Sequence, residues 1–192
     1  MRSPHYFLGI DIPEVLENRL SEQQNKLKES LDYKMWTNQN DFHITLKFLG
    51  SVEEEQLAAL VDAFKKASDK EPFNCMLEGL SFFGKQDGPR VLMQKVQKTA
   101  YLTAVQKAFE QAADTCGFPP EKRTYTPHVT LAKKFTSACR PMNEVMHHAE
   151  LELDGFTCNE VVLFRIEPDQ NPRYVPVIKF ALKGGGKGGA TH

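Results

Sequence analysis

Residues 41–50 read Asp-Phe-His-Ile-Thr-Leu-Lys-Phe-Leu-Gly, and residues 125–135 read Tyr-Thr-Pro-His-Val-Thr-Leu-Ala-Lys-Lys-Phe. Each holds a His-apolar-Thr-apolar run in a β-branched, apolar context that predicts a strand. Side chains alternate faces along a strand. His43 and Thr45 therefore share one face, with Phe42, Ile44, Leu46 and Phe48 expected on the other. His128 and Thr130 share a face opposite Val129 and Leu131. The apolar faces are expected to pack under helices, and the polar faces to line a groove. A lone histidine on a strand is usually a surface or hydrogen-bonded residue. The weight lies in the repeat, one copy in each half of the chain.

Outward from these runs, a first strand is predicted over His5–Ile12, and a helix with Leu16, Leu20, Leu27 and Leu31 on one face. A second strand region covers Tyr33–Trp36. Ser51 and Glu54 form a capping-box signature for a helix whose stripe is Leu57, Leu60, Val61 and Phe64. Strands are expected over Phe73–Phe83 and Arg90–Val96, with a turn at Gly84–Pro89. Thr99–Cys116 reads as a helix with Leu102, Val105 and Phe109 inward, stopped by Gly117 and Pro119-Pro120. A strand over 124–135, a short helix near Met142–His148, and strands over Leu151–Phe156, Glu160–Ile166 and Tyr174–Leu182 complete the pattern, with Glu167–Arg173 as a hairpin loop. Many strands, few helices and no strict βαβ alternation predict an α+β fold of antiparallel sheets with helices on their outer faces. The repeated strand, helix, His-x-Thr strand suggests a duplicated lobe.

The 192 residues fit one domain, or one domain of two lobes around a shared cleft, and 41% apolar residues supply its core. With 24 basic and 25 acidic residues the formal net charge is -1. That argues against a protein that coats long nucleic acid, though not against a pocket that grips one phosphate. Cys75, Cys116, Cys139 and Cys158 form no CxxC pair and read as reduced packing residues of a cytoplasmic protein. No membrane span and no signal peptide are expected. The Gly-rich stretch at 184–192 reads as a flexible tail.

Two histidines and two hydroxyls suit the opening of a cyclic phosphate by water. One imidazole takes the proton of water and the other protonates the departing sugar oxygen; histidine titrates where both forms are accessible. In-line displacement needs the two on opposite sides of phosphorus. Threonine hydroxyls can donate to the non-bridging oxygens as charge gathers there. This chemistry calls for no metal and no cofactor. A metal site built from His147 and His148 with His43 and His128 lacks any ligand spacing to support it. A binding module that holds a nucleotide or RNA end without turning it over is a second alternative.

On these residues the sequence resembles the two-histidine (2H) phosphoesterases, and among them the bacterial and archaeal RNA 2',3'-cyclic phosphodiesterases, also named 2'-5' RNA ligases after the reverse reaction. The resemblance spans nearly the whole chain to about Leu182: YFLGIDIP is similar to the family's first strand, DFHITLKFLGSV and YTPHVTLAK carry the motifs, and Arg173–Leu182 resembles the last strand. It implies a single bilobal domain over 1–183, pseudo-symmetric about a central groove that carries both HxTx motifs. It implies an RNA partner, a single-stranded or tRNA-like end bearing the cyclic phosphate; the balanced charge and ordinary composition suggest a monomer. It implies His43 as proton donor to the leaving O3', His128 as the base that activates water, Thr45 and Thr130 on the phosphate oxygens, and a 2'-phosphate product. Other members of the superfamily act on other cyclic or 2'-5' phosphodiesters. The family often has Arg after the second motif, where this chain has Lys133 and Lys134; Arg123, in the preceding loop, is the candidate to supply a guanidinium.

Overall fold

A computed structural model describes residues 3–149 and 155–184. The described residues form ten strands: β1 (His5–Asp11), β2 (Leu31–Trp36), β3 (His43–Ser51), β4 (Phe73–Cys75), β5 (Leu77–Lys85), β6 (Gly88–Val96), β7 (His128–Ala138), β8 (Phe156–Cys158), β9 (Glu160–Ile166) and β10 (Tyr174–Ala181). The helices are α1 (Glu14–Lys28), α2 (Glu54–Ala67), α3 (Ala100–Thr115) and α4 (Met142–Ala149), with a single 3-10 turn at Gln39–Asp41.

The α+β class holds, with every strand pairing antiparallel. One difference concerns how the sheets are divided. An eight-stranded sheet runs through both halves of the chain: seven strands follow the order β10-β9-β1-β3-β7-β6-β5, β2 pairs with β7 off this path, and β4 and β8 form a separate ribbon. β7 carries β6 along one edge, while β3 and β2 share the other. The β3–β7 junction is a single residue pair, Ile44 with Val129.

Helices cover one face. Leu20 and Leu27 of α1, Leu60 and Phe64 of α2, Leu102 and Phe109 of α3, and Val145 of α4 join Ile44, Leu46, Val129 and Leu131 in one contiguous core. The opposite face carries a smaller cluster, Phe7, Val162 and Phe164, with Ile166 and Tyr174 packed against it. Cys75 and Cys158 are buried, and all four cysteines are free.

Several boundaries moved for physical reasons. Leu31 opens β2 instead of closing α1. The helix ends at Lys28, and Leu31 reaches the same core from the next element. Ser51 is not the helix cap, because β3 continues through it and the Val52 amide donates to the Pro4 carbonyl. The capping box forms two residues later, with the Glu53 carboxylate accepting from the Gln56 amide and the Gln56 side chain accepting from the Glu53 amide at 3.1 Å. The strand expected over Phe73–Phe83 breaks at Met76, its first part pairing with β8 and its second with β6. The last motif strand begins only at His128, since residues 124–127 are not extended into a ladder. Of the strand expected at Leu151–Phe156, residues 151–154 lie outside the described residues, as does the tail from 185 onward.

Candidate active site

Both histidines are seated in the same way. His43 donates Nδ1–H to the carbonyl of Asp41 at 2.7 Å, and His128 donates Nδ1–H to the carbonyl of Thr126 at 2.7 Å. A carbonyl only accepts, so each bond fixes the tautomer and leaves Nε2 for chemistry. His43 Nε2 lies 3.0 Å from the Thr45 hydroxyl, the partner placed beside it by strand alternation. His43, Thr45, His128 and Thr130 line one cavity of about 300 Å³. The Ile44–Val129 pairing brings the two motifs side by side at matching positions.

The alternation is broken in each motif at the same place. Along β1 the register steps from Lys47 opposite Leu8 to Thr45 opposite Gly9, leaving Leu46 unpaired. Along β6 it steps from Ala132 opposite Leu92 to Thr130 opposite Met93, leaving Leu131 unpaired. A bulge inserts one residue and reverses which side chains face which way beyond it. Phe48, expected in the core, is therefore 51% exposed and lines the cavity. Lys133, the equivalent residue of the second motif, lines it too. Lys47 turns inward, where its ammonium meets the Pro119 carbonyl and pairs with Glu110 at 3.9 Å.

Each bulge is held from behind by a glutamine. Gln24 of α1 donates to the carbonyls of Leu131 and Thr37, both at 2.9 Å. Gln106 of α3 donates to the Leu46 carbonyl at 3.5 Å. Buried carbonyls freed from the ladder need partners, and that of Leu131 also accepts from the Thr37 amide at 2.9 Å. Gly9 leaves room for this arrangement: a Cβ there would lie 3.0 Å from the Ile44 carbonyl and 3.5 Å from the His43 ring.

Aromatic rings wall the groove. Phe7 lies tilted against His43 at 4.6 Å between centroids, Tyr174 meets it edge-on at 5.0 Å, and Phe83 meets His128 edge-on at 5.1 Å. Burial among these rings pushes the His43 imidazole down to about 4; the Asp41 hydrogen bond opposes this, and the charges of Lys133 and His128 add to it. His128 is lowered by the same burial, opposed by Thr126 and reinforced by Lys133. Desolvation in the groove wall lowers Lys133, and the neighbouring Arg173 charge lowers it further.

Of the residues expected at the site, His43, Thr45, His128 and Thr130 converge. Arg123 does not: it is exposed in the loop before β7 and does not line the cavity. His147 and His148 are exposed on α4 and do not line it either. Among the described residues no group of three or more His, Cys, Asp or Glu is arranged to hold a metal ion, and no helix is long and apolar enough to cross a membrane. The alternation rule missed Phe48 and Lys133, whose orientation depends on the bulges. Tyr174 and Phe83 were missed because they arrive from distant strands.

The family model described as the 2'-5' RNA ligase superfamily matches residues 13–170. A Bacillus subtilis (strain 168) protein named RNA 2',3'-cyclic phosphodiesterase is 34% identical over 181 residues, covering 93% of this chain and 97% of that one. A Geobacillus stearothermophilus protein of the same name is 29% identical over 185 residues; the match covers 96% of this chain but 59% of the relative's length. Among solved structures, TT0787 of Thermus thermophilus superposes with a TM-score of 0.76 at 22% identity, covering 94% of this chain and 98% of that one. Escherichia coli LigT in its apo form gives 0.73 at 20% identity, covering 95% and 99%.

Proposed function

The chain belongs to the 2'-5' RNA ligase superfamily, the 2H phosphoesterases, and from that premise we propose that it hydrolyses 2',3'-cyclic phosphate ends of RNA to 2'-phosphomonoesters without a metal ion. The observation that carries this reading is the pair of imidazoles, each fixed through Nδ1–H to a backbone carbonyl, on one cavity with Thr45 and Thr130.

In the proposed reaction His128 Nε2 takes a proton from water as the water oxygen attacks phosphorus. The P–O3' bond breaks, and Nε2–H of His43 gives its proton to O3'. The product carries a 2'-phosphate and a free 3'-hydroxyl; His128 ends protonated and His43 neutral, and exchange with solvent resets both. Thr45, Thr130 and Lys133 stabilise the non-bridging oxygens. An RNA 5'-hydroxyl in place of water makes a 2'-5' linkage by the same steps.

The donor label for His43 has a consequence. Within the groove its imidazole is pushed down to about 4, so it is neutral at pH 7. A cyclic phosphate anion between the imidazoles and Lys133 favours the charged ring and raises that value, so substrate charges its own proton donor.

The same reading takes residues 1–183 as one domain of two lobes related by a pseudo-two-fold axis at the Ile44–Val129 pair. The matched bulges and their glutamine supports favour it.

The test is an RNA oligonucleotide with a 2',3'-cyclic phosphate end, incubated in EDTA, with the product isomer identified. A 2'-phosphate is expected, and His43→Ala or His128→Ala should lower kcat by about 10²–10⁴-fold with little change in binding. Strict metal dependence, or near-full activity in either variant, would overturn the reading.

A further inference from the structure

No arginine stands where the family often has one after the second motif, and Arg123 lies away from the groove. Another guanidinium is delivered by a different route. Asp41 is buried, 5% exposed, yet among the described residues its carboxylate forms no ion pair. Instead it accepts from the Arg173 amide at 2.9 and 3.0 Å and from the Tyr174 amide at 3.0 Å. A second tie, Asn38 Nδ2–H to Asn171 Oδ1 at 2.7 Å, holds the same loop. Burying a carboxylate is costly, and charge-assisted bonds to amides offset it only where the backbone is held in place.

These bonds fix the backbone of Arg173 beside Tyr174, which lines the groove, while the Arg173 side chain remains exposed. Its charge is felt at both Lys133 and Tyr174. Neither Lys133 nor Arg173 has a carboxylate ion-pair partner among the described residues. Two like charges, one on the cavity wall and one on the residue next to Tyr174, neither neutralised by a carboxylate, suit an anion with more than one phosphate.

Building on the proposed function, we infer that Arg173, seated by Asp41, is a binding residue for the phosphodiester one nucleotide upstream of the cyclic end. Lys133 serves the reacting phosphate inside the groove. Arg173 stands at the rim, where the RNA chain leaves, and its planar fork can take two oxygens of one phosphate. The residue thus separates RNA ends from free cyclic mononucleotides.

The experiment uses the full chain and a labelled RNA trimer ending in 2',3'-cyclic phosphate. A second trimer carries an uncharged methylphosphonate at the linkage just upstream, and adenosine 2',3'-cyclic phosphate serves as the mononucleotide. Binding by fluorescence anisotropy and kcat/KM are both measured. Wild type should lose at least fivefold in affinity when that linkage is neutralised. Arg173→Ala should bind the two trimers equally, lose about tenfold in kcat/KM on the charged trimer through KM, and stay within twofold on the mononucleotide. Arg173→Lys should fall between, and Arg123→Ala should match wild type. Equal losses by Arg173→Ala on trimer and mononucleotide, or a wild type indifferent to the methylphosphonate, overturns the inference. Should wild type turn over no substrate while Arg173→Ala alone ignores the linkage charge, the hydrolase reading fails and the Arg173 assignment stands.

Discussion

The protonation of His43 links binding, chemistry and stability at one residue. If the substrate anion raises its pKa, the alkaline limb of the kcat profile, which reports the complex, should lie at higher pH than that of kcat/KM, which reports the free protein. Coincident limbs would refute charging by substrate. The same group acts on folding. Its value is about 4 when folded and about 6.5 in an unfolded chain. The folded state thus binds its proton less readily, and the contribution to stability is complete above about pH 6.5 and lost as pH falls through 4. That contribution is at most roughly 3 kcal/mol. Denaturation midpoints measured from pH 7 to 4 should fall less steeply in His43→Gln than in wild type. The proposed catalytic pair was legible in the sequence because alternation needs only neighbouring residues. The acid shift was not, because Phe7 and Tyr174, which bury the ring, come from β1 and β10.

Among the elements, β3 and β7 carry the lesson. Both were readable as strands from their β-branched, apolar runs, and the His and Thr positions fell on the expected face. The readings failed past the fourth motif residue, where a bulge sends Phe48 and Lys133 into the groove. Nothing in the local pattern marks an inserted residue, since Leu46 and Leu131 are as apolar as a regular ladder would ask. The nearest sequence signal is polar: Gln24 and Gln106 sit within mostly apolar helix stripes and are 3% and 5% exposed. Gln24→Ala would remove the side-chain donor to the Thr37 carbonyl and one of two donors to the Leu131 carbonyl, which keeps the Thr37 amide, a cost of about 1–3 kcal/mol. Urea denaturation should show a lower midpoint with an unchanged slope. An unaltered midpoint would mean that the bulge holds itself.

In the whole molecule, the two halves of the sheet meet through one residue pair, yet all four helices join a single core. The shared core outweighs the thin backbone seam, so unfolding should be one cooperative transition. Ile44 is fully buried at that seam, and Ile44→Ala should lower the entire transition by about 2–5 kcal/mol. Two resolved calorimetric peaks, in wild type or in that variant, would contradict this. The α+β class was legible from strand number and spacing, but the continuity of the sheet was not. It depends on Ile44 meeting Val129, a long-range pairing that composition and periodicity leave undetermined.

The identical seats of the two imidazoles carry a thermodynamic consequence. Each ring is oriented by one carbonyl two residues upstream, so neither is built to be only a giver or only a taker of protons. Under the proposed mechanism, whichever ring has just released its proton is equipped to receive one, and every step can be retraced by exchanging roles. Such a groove accelerates approach to equilibrium without setting where equilibrium lies. Mass action then chooses the outcome: abundant water drives opening of the ring, and an RNA 5'-hydroxyl held at high local concentration drives joining.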